Sequence, residues 1–197
     1  MKRYISNEEI YRAAEKVYKD TAPRVPSVSD ICRAADISRK TFYQRFKNIE
    51  DFKISILKYN IGLIITEFKT LRKNTTGFNV LWDLLDVLEE VSQKHPFAKH
   101  ILTNSFTNNI IKNGALYYNY FRDIENEISN FIKDGIANGS FRAVDAEKIS
   151  KITVNLLFCI NFVLEENNKK EKDVIKEGMK ILLHESLKPF APRLSIE

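Results

Sequence analysis

The sequence predicts an all-α protein: an N-terminal three-helix bundle of helix-turn-helix type over residues 1–50, then a larger helical domain over 51–197. Three observations carry that expectation. Apolar residues recur three and four apart through nearly every segment, and no alternating run is long enough for a strand. Residues 27–46 read as two short capped helices with a tight turn between them. Positive charge is concentrated in the same region: residues 1–50 hold 11 Lys and Arg against 7 Asp and Glu, the remaining 147 hold 20 against 19.

The first helix starts at Ser6 or Asn7, where Glu8 and Glu9 favour the positive end of the helix dipole. Ile10, Ala13, Ala14 and Val17 form its apolar stripe. Pro23 stops it and leaves Ala22-Pro23-Arg24-Val25-Pro26 as a short rigid connector. Ser27, with Asp30 three residues on, is a capping-box pattern that starts the second helix at Val28. Val28, Ile31, Ala34 and Ala35 mark its buried side. Ser38 caps the third helix, with Phe42 and Phe46 four apart on the inner face. From Ile37 to Lys47 there are four basic side chains and no acid. A short helix that is basic and hydrogen-bonding on one face suits the major groove, which admits one α-helix and offers acceptors on guanine and a mixed pattern on adenine. A solvated basic face on an ordinary helix-turn-helix pair is the plainer reading. The caps, the short turn and the polar start of the third helix favour DNA.

Asn48 caps a long helix from Ile49 to Lys73. Ile54, Leu57, Ile61, Ile64, Phe68 and Leu71 give it one continuous stripe, so it packs along its length and links the bundle to the rest mechanically. Asn74-Thr75-Thr76-Gly77 breaks the chain. Val80, Leu81, Leu84, Leu85, Leu88 and Val91 mark the next helix, interrupted by His95-Pro96. Another runs from Phe97 to Lys112 and ends at Asn113-Gly114, suited to a left-handed C-terminal cap. Leu116, Tyr117, Tyr120, Phe121, Ile124, Ile128, Phe131, Ile132 and Ile136 belong to the one after, and residues 138–142 turn the chain.

Residues 145–167 and 171–187 are the last two helices. The first has two stripes, Ile149, Ile152, Leu156, Ile160 and Val163 beside Val154, Leu157, Phe158 and Phe162. A helix apolar over most of its circumference must be covered on two sides. A central core position and a four-helix interface with a second copy both satisfy that pattern.

The string Ile31-Cys32-Arg33-Ala34-Ala35-Asp36-Ile37-Ser38-Arg39-Lys40-Thr41-Phe42-Tyr43-Gln44-Arg45-Phe46 resembles the DNA-binding signature of TetR-family (TetR/AcrR-type) transcriptional regulators. That signature has a small apolar helix, a turn, Ser at the second cap, then Thr-apolar-Tyr-x-x-Phe, matched here by Thr41, Phe42, Tyr43 and Phe46. The match covers residues 8–52. Two positions depart from it. The usual turn Gly is Asp36, which holds a left-handed backbone at modest cost. The family's phosphate-contacting Lys falls at Ile49, leaving Lys47 and Arg45 as the nearest charges. The resemblance implies a dimer formed through the last two helices, an operator of two palindrome-like half-sites on double-stranded DNA, and a small-molecule effector that releases a repressor. The alternative is a TetR-like co-activator or a helical interaction protein controlled by a protein partner.

Position and motif together assign roles. Arg39, Lys40, Thr41 and Gln44 are the base-edge readers: Arg39 or Lys40 for guanine, Gln44 for adenine, the Thr41 methyl for a thymine methyl. Tyr43, Arg45 and Lys47 are phosphate contacts that set register, with Ser27 and Ser29 reaching the DNA backbone from the helix before. For the effector, the aromatics Trp82, Phe97, Phe106, Tyr117, Tyr120, Phe121, Phe158 and Phe162 are candidates to line an apolar pocket among residues 78–137 and 145–167. Aromatics at helical spacing also simply fill a core.

Other chemistries find little support. His95, His100 and His184 share no metal spacing with acids, Cys32 and Cys159 stand alone, and the six glycines form no phosphate loop. No catalytic residue, metal or cofactor is expected. The start, Met1-Lys2-Arg3, leads into charged sequence, and no apolar stretch approaches a membrane span, so the cytoplasm is the expected location.

Overall fold

The computed structural model describes residues 4–74, 77–109, 114–158 and 169–189, with the backbone alone at 104–109, 114–120, 158 and 169. Among these residues there are nine helices and no strand. They are α1 (Asn7–Thr21), α2 (Val28–Ala34), α3 (Arg39–Arg45), α4 (Ile49–Asn74), α5 (Asn79–Lys94), α6 (Pro96–Asn109), α7 (Gly114–Ala137), α8 (Ala146–Phe158) and α9 (Lys169–Leu187). The all-α expectation is met. The chain divides into two compact units, residues 1–64 with 89–120, and residues 65–88 with 121–197.

In the first unit, α1 starts at a complete capping box. The Ser6 hydroxyl accepts from the Glu9 amide at 3.1 Å and the Glu9 carboxylate accepts from the Ser6 amide at 2.8 Å. Its buried face is Ile10, Tyr11, Ala14, Glu15 and Tyr18, whereas Ala13 and Val17 are half-buried. The face turns away from the expected stripe because two other helices cover α1. Tyr11 packs on Phe52 (5.8 Å between centroids) and Tyr59 (5.3 Å) of α4, and Tyr18 packs on Phe97 (5.4 Å) and His100 (5.1 Å) of α6. The first turns of α4 follow the same logic: Phe52 and Ile56 are fully buried, Ile54 only half. Pro96 takes the first position of α6, where its missing N–H costs no helical bond.

In the second unit, the later part of α4 is tied to α7. Phe68 meets Phe131 edge-on at 6.0 Å, Lys69 reaches Glu127 at 2.9 Å, and Arg72 reaches Asp134 at 2.6 Å. Gly139, at φ +79°, lets the chain reverse after α7. The Phe141 amide then donates to the Gly135 carbonyl at 2.9 Å and lays its ring over Gly135. A β-carbon there would sit 2.1 Å from that ring. Arg142 closes α9, donating through its amide to the Leu187 carbonyl (2.9 Å) and through Nε to the Ser186 carbonyl (2.6 Å). The expected cap at Asn113-Gly114 falls partly outside the described residues, and Gly114 itself opens α7.

The two-stripe pattern of α8 resolves where it is described. Val154 and Leu157 are buried, while Ile152 is exposed and Ile149 and Leu156 are half-buried. Ile160, Phe162 and Val163 lie outside the described residues. On α9, Met179, Leu183 and Leu187 face inward.

Candidate nucleic-acid interface

The site is built from short-range chemistry. Ser27 and Asp30 form the capping box of α2: the Ser27 hydroxyl accepts from the Asp30 amide (3.2 Å) while donating to the Asp30 carboxylate (2.7 Å). That carboxylate also accepts from the Ser27 amide and from Arg24, both at 3.0 Å. The Ser27 hydroxyl and amide, helped by Arg24, hold Asp30 down to about 2. Ser27 is engaged as a cap while exposed, and Ser29, in the first turn of α2, is exposed as well.

The turn out of α2 is a Schellman motif. Asp36 sits at φ 50°, the Ile37 amide donates to the Cys32 carbonyl at 3.0 Å, and the Asp36 amide donates to Arg33 at 3.4 Å. The left-handed backbone expected of Asp36 is present without glycine. Ser38 then caps α3, its hydroxyl accepting from the Thr41 amide at 3.0 Å and pairing with the Thr41 hydroxyl at 2.8 Å.

Below α3, Phe42 and Phe46 are core. Phe42 stands 5.1 Å from Phe46 and 5.3 Å from Phe52, and Phe46 stands 5.0 Å from Phe52. This aromatic floor fixes which face α3 shows to solvent. That face carries Arg39, Lys40, Tyr43 and Gln44, all exposed, with Thr41 half-buried between them. Lys47 is exposed just beyond the helix, and its amide donates to Asp51 at 2.9 Å in the cap of α4.

Arg45 is placed differently from its neighbours. It is half-buried, donates to the Asn7 side chain at 3.1 Å and lies over the Tyr4 ring at 5.3 Å. It ties the end of α3 to the start of α1. Pairwise spacing within α3 gives no sign of this, because Asn7 is 38 residues away.

The candidate effector residues are spread over both units. Phe97, fully buried, packs on Tyr18 in the first unit. Trp82, half-buried and stacked on Phe78 at 6.4 Å, and the buried Phe121 belong to the second. The side chains of Phe106, Tyr117, Tyr120 and Phe158, and all of Phe162, lie outside the described residues. Among the described residues no cluster of His, Cys, Asp or Glu could hold a metal ion.

The family model for bacterial regulatory proteins of the tetR family matches residues 10–53, the span from α1 to the first turn of α4. No curated protein matches the chain. Among solved structures, a TetR-family transcriptional regulator from Pectobacterium atrosepticum superposes with TM-score 0.75 at 13% identity, covering 93% of this chain and 95% of its own. A TetR transcription regulator from Haloarcula marismortui does so at 0.73 and 17%, covering 92% and 98%. FadR from Thermus thermophilus, a TetR-family transcriptional repressor in complex with lauroyl-CoA, does so at 0.68 and 19%, covering 95% and 98%. At these identities the likeness is one of fold.

Proposed function

We propose that this chain, a tetR-family regulator by its residues 10–53, is a dimeric repressor that reads a palindrome-like operator and leaves it when a small molecule binds. The observation that carries the reading is the outer face of α3: Arg39, Lys40, Tyr43 and Gln44 exposed together, without an acid, on a helix held from below by Phe42 and Phe46. Arg39, Lys40, Thr41 and Gln44 take the base edges; Tyr43 and Lys47 take phosphates. Arg45 shares its charge with that row while bracing Tyr4 and Asn7.

A second copy supplies the second reading helix. Ile152 on α8 and Val174, Ile181 and Leu182 on α9 are 54%, 65%, 56% and 62% exposed, an apolar surface on the two helices proposed to pair. Residues 1–50 are the reading head and the rest the controlling domain, with α4 continuous between them. The effector binds in the helical domain and must prefer one state of the protein over the other, since occupancy alone shifts no equilibrium. The lauroyl-CoA held by the Thermus FadR makes acyl-CoA thioesters the first class to screen. The proposed place of work is the cytoplasm; among the described residues no helix is long and apolar enough to cross a membrane.

Selection of tight binders from random duplex DNA tests the reading. Enrichment of two inverted half-sites is the expected result. Retention of duplexes with no shared sequence would leave a basic interaction surface in place of an operator reader.

A further inference from the structure

Glu15 is a charged residue on α1 that is only 5% exposed. Its carboxylate accepts from the Phe97 amide at 2.7 Å and from the Ala98 amide at 3.0 Å, the second and third residues of α6. The first N–H groups of a helix have no intrahelical partner, and a Ser, Thr, Asp or Asn at the cap usually serves them. At α6 the position before Pro96 is His95, and Glu15 does the work from 82 residues away. Tyr18, one turn on, packs against Phe97 and His100 of the same helix. A polar contact and an aromatic one thus tie α1 to the first turns of α6.

We propose that Glu15 is a positioning residue for DNA reading, its carboxylate coupling the first turn of α6 to α1 and so to the helices packed on α1. The proposal rests on the DNA-reading function above and names one of its regulatory joints. A buried carboxylate with two amide bonds is a two-state link. Ionised, it satisfies both donors. Protonated, it weakens one amide bond but sheds the larger cost of a buried charge. Burial pushes this carboxyl up to about 7, against the two amide bonds and Lys19, which pull it down. The charged groups around it are Lys19 on α1, His95 at 3.9 Å, and Lys94 at the end of α5 and Arg12 on α1, which act on His95. Burial first, then these cations, hold His95 below its ordinary value. Opening the joint would return the carboxyl toward its ordinary 4.5, so the bound proton favours the closed joint, which loosens as pH rises through about 7.

The test uses the full chain and its Glu15→Gln variant, which keeps the shape and cannot carry the charge. Hydrogen exchange at the Phe97 and Ala98 amides is measured from about pH 6 to about pH 8, alongside affinity for an operator duplex selected by the unaltered protein. In the unaltered protein, protection of both amides relative to intrinsic exchange should fall about tenfold or more as pH rises across neutrality, and operator affinity should change over the same interval. In Glu15→Gln protection of both amides should no longer change with pH and the affinity step should vanish. The inference is overturned if protection in the unaltered protein does not follow pH, which needs no variant to fold. It is overturned equally if the variant loses the pH dependence of protection yet keeps the same affinity profile. If no duplex is selected at all, the DNA reading fails; the proposed role in reading fails with it, and amide exchange then shows only whether the joint exists.

Discussion

Tyr43 and Gln44 are adjacent and both exposed on α3, yet different losses are expected from each. Tyr43→Ala should weaken binding to operator and random DNA alike, because a phosphate contact carries no sequence information. Gln44→Ala should cost about 1–3 kcal/mol at one base position and relax the preference there, measured by competition between duplexes differing at that position. Equal losses in both variants on both DNAs would show that the division of roles is wrong. Glu15 makes a prediction about stability. Its carboxyl rises from 4.5 to about 7 on folding, so between those values the folded chain holds a proton the unfolded chain lacks. Its contribution is fully present below 4.5 and is lost as pH rises through about 7, at most about 3 kcal/mol. Urea unfolding of the unaltered protein and Glu15→Gln at about pH 5.5 and about pH 8 isolates it: the unaltered protein should lose more stability than the variant over that rise. Nothing near Glu15 in the sequence points to its role, because its partners are backbone amides 82 and 83 residues on.

Among the elements, what could be read in advance is what depends on near neighbours. Ser6, Ser27, Ser38 and Asn48 each accept from an amide three residues on, and Asp36 takes the left-handed turn, all signalled by residues close in the chain. The faces of α1 and of early α4 were not legible in full. A single stripe on each does not describe them: α1 is packed on both α4 and α6, and on α4 Phe52 packs on Tyr11, Phe42 and Phe46 while Ile56 is also buried. Gly135 carries no signal in the local sequence, since only the returning Phe141 gives it a role. Gly135→Ala should displace that ring and lower stability by about 1–3 kcal/mol, seen as a reduced melting temperature with helicity retained before melting. The exposed stripe of α9 makes the complementary case. Ile181→Glu should leave the monomer fold intact, since Ile181 is exposed, while sedimentation shifts from dimer to monomer. An unchanged sedimentation coefficient would place the subunit contact elsewhere.

The whole molecule carries a modest net charge of +5, most of the excess on residues 1–50, an arrangement suited to an electrostatic footprint on DNA. A dimer placing two copies of α3 on successive half-sites neutralises several phosphates at once, so its affinity must depend steeply on salt. Lys47→Ala, removing one contact per subunit, should flatten that dependence by about one phosphate per subunit. The most direct measurement is binding of the purified protein to the DNA just upstream of its own gene over a salt series, with footprinting at the lowest salt. A steep linear fall of log affinity with log salt, together with protection of two inverted half-sites, is the predicted result. Affinity that is flat with salt, or protection without a repeated half-site, would contradict a dimeric operator reader.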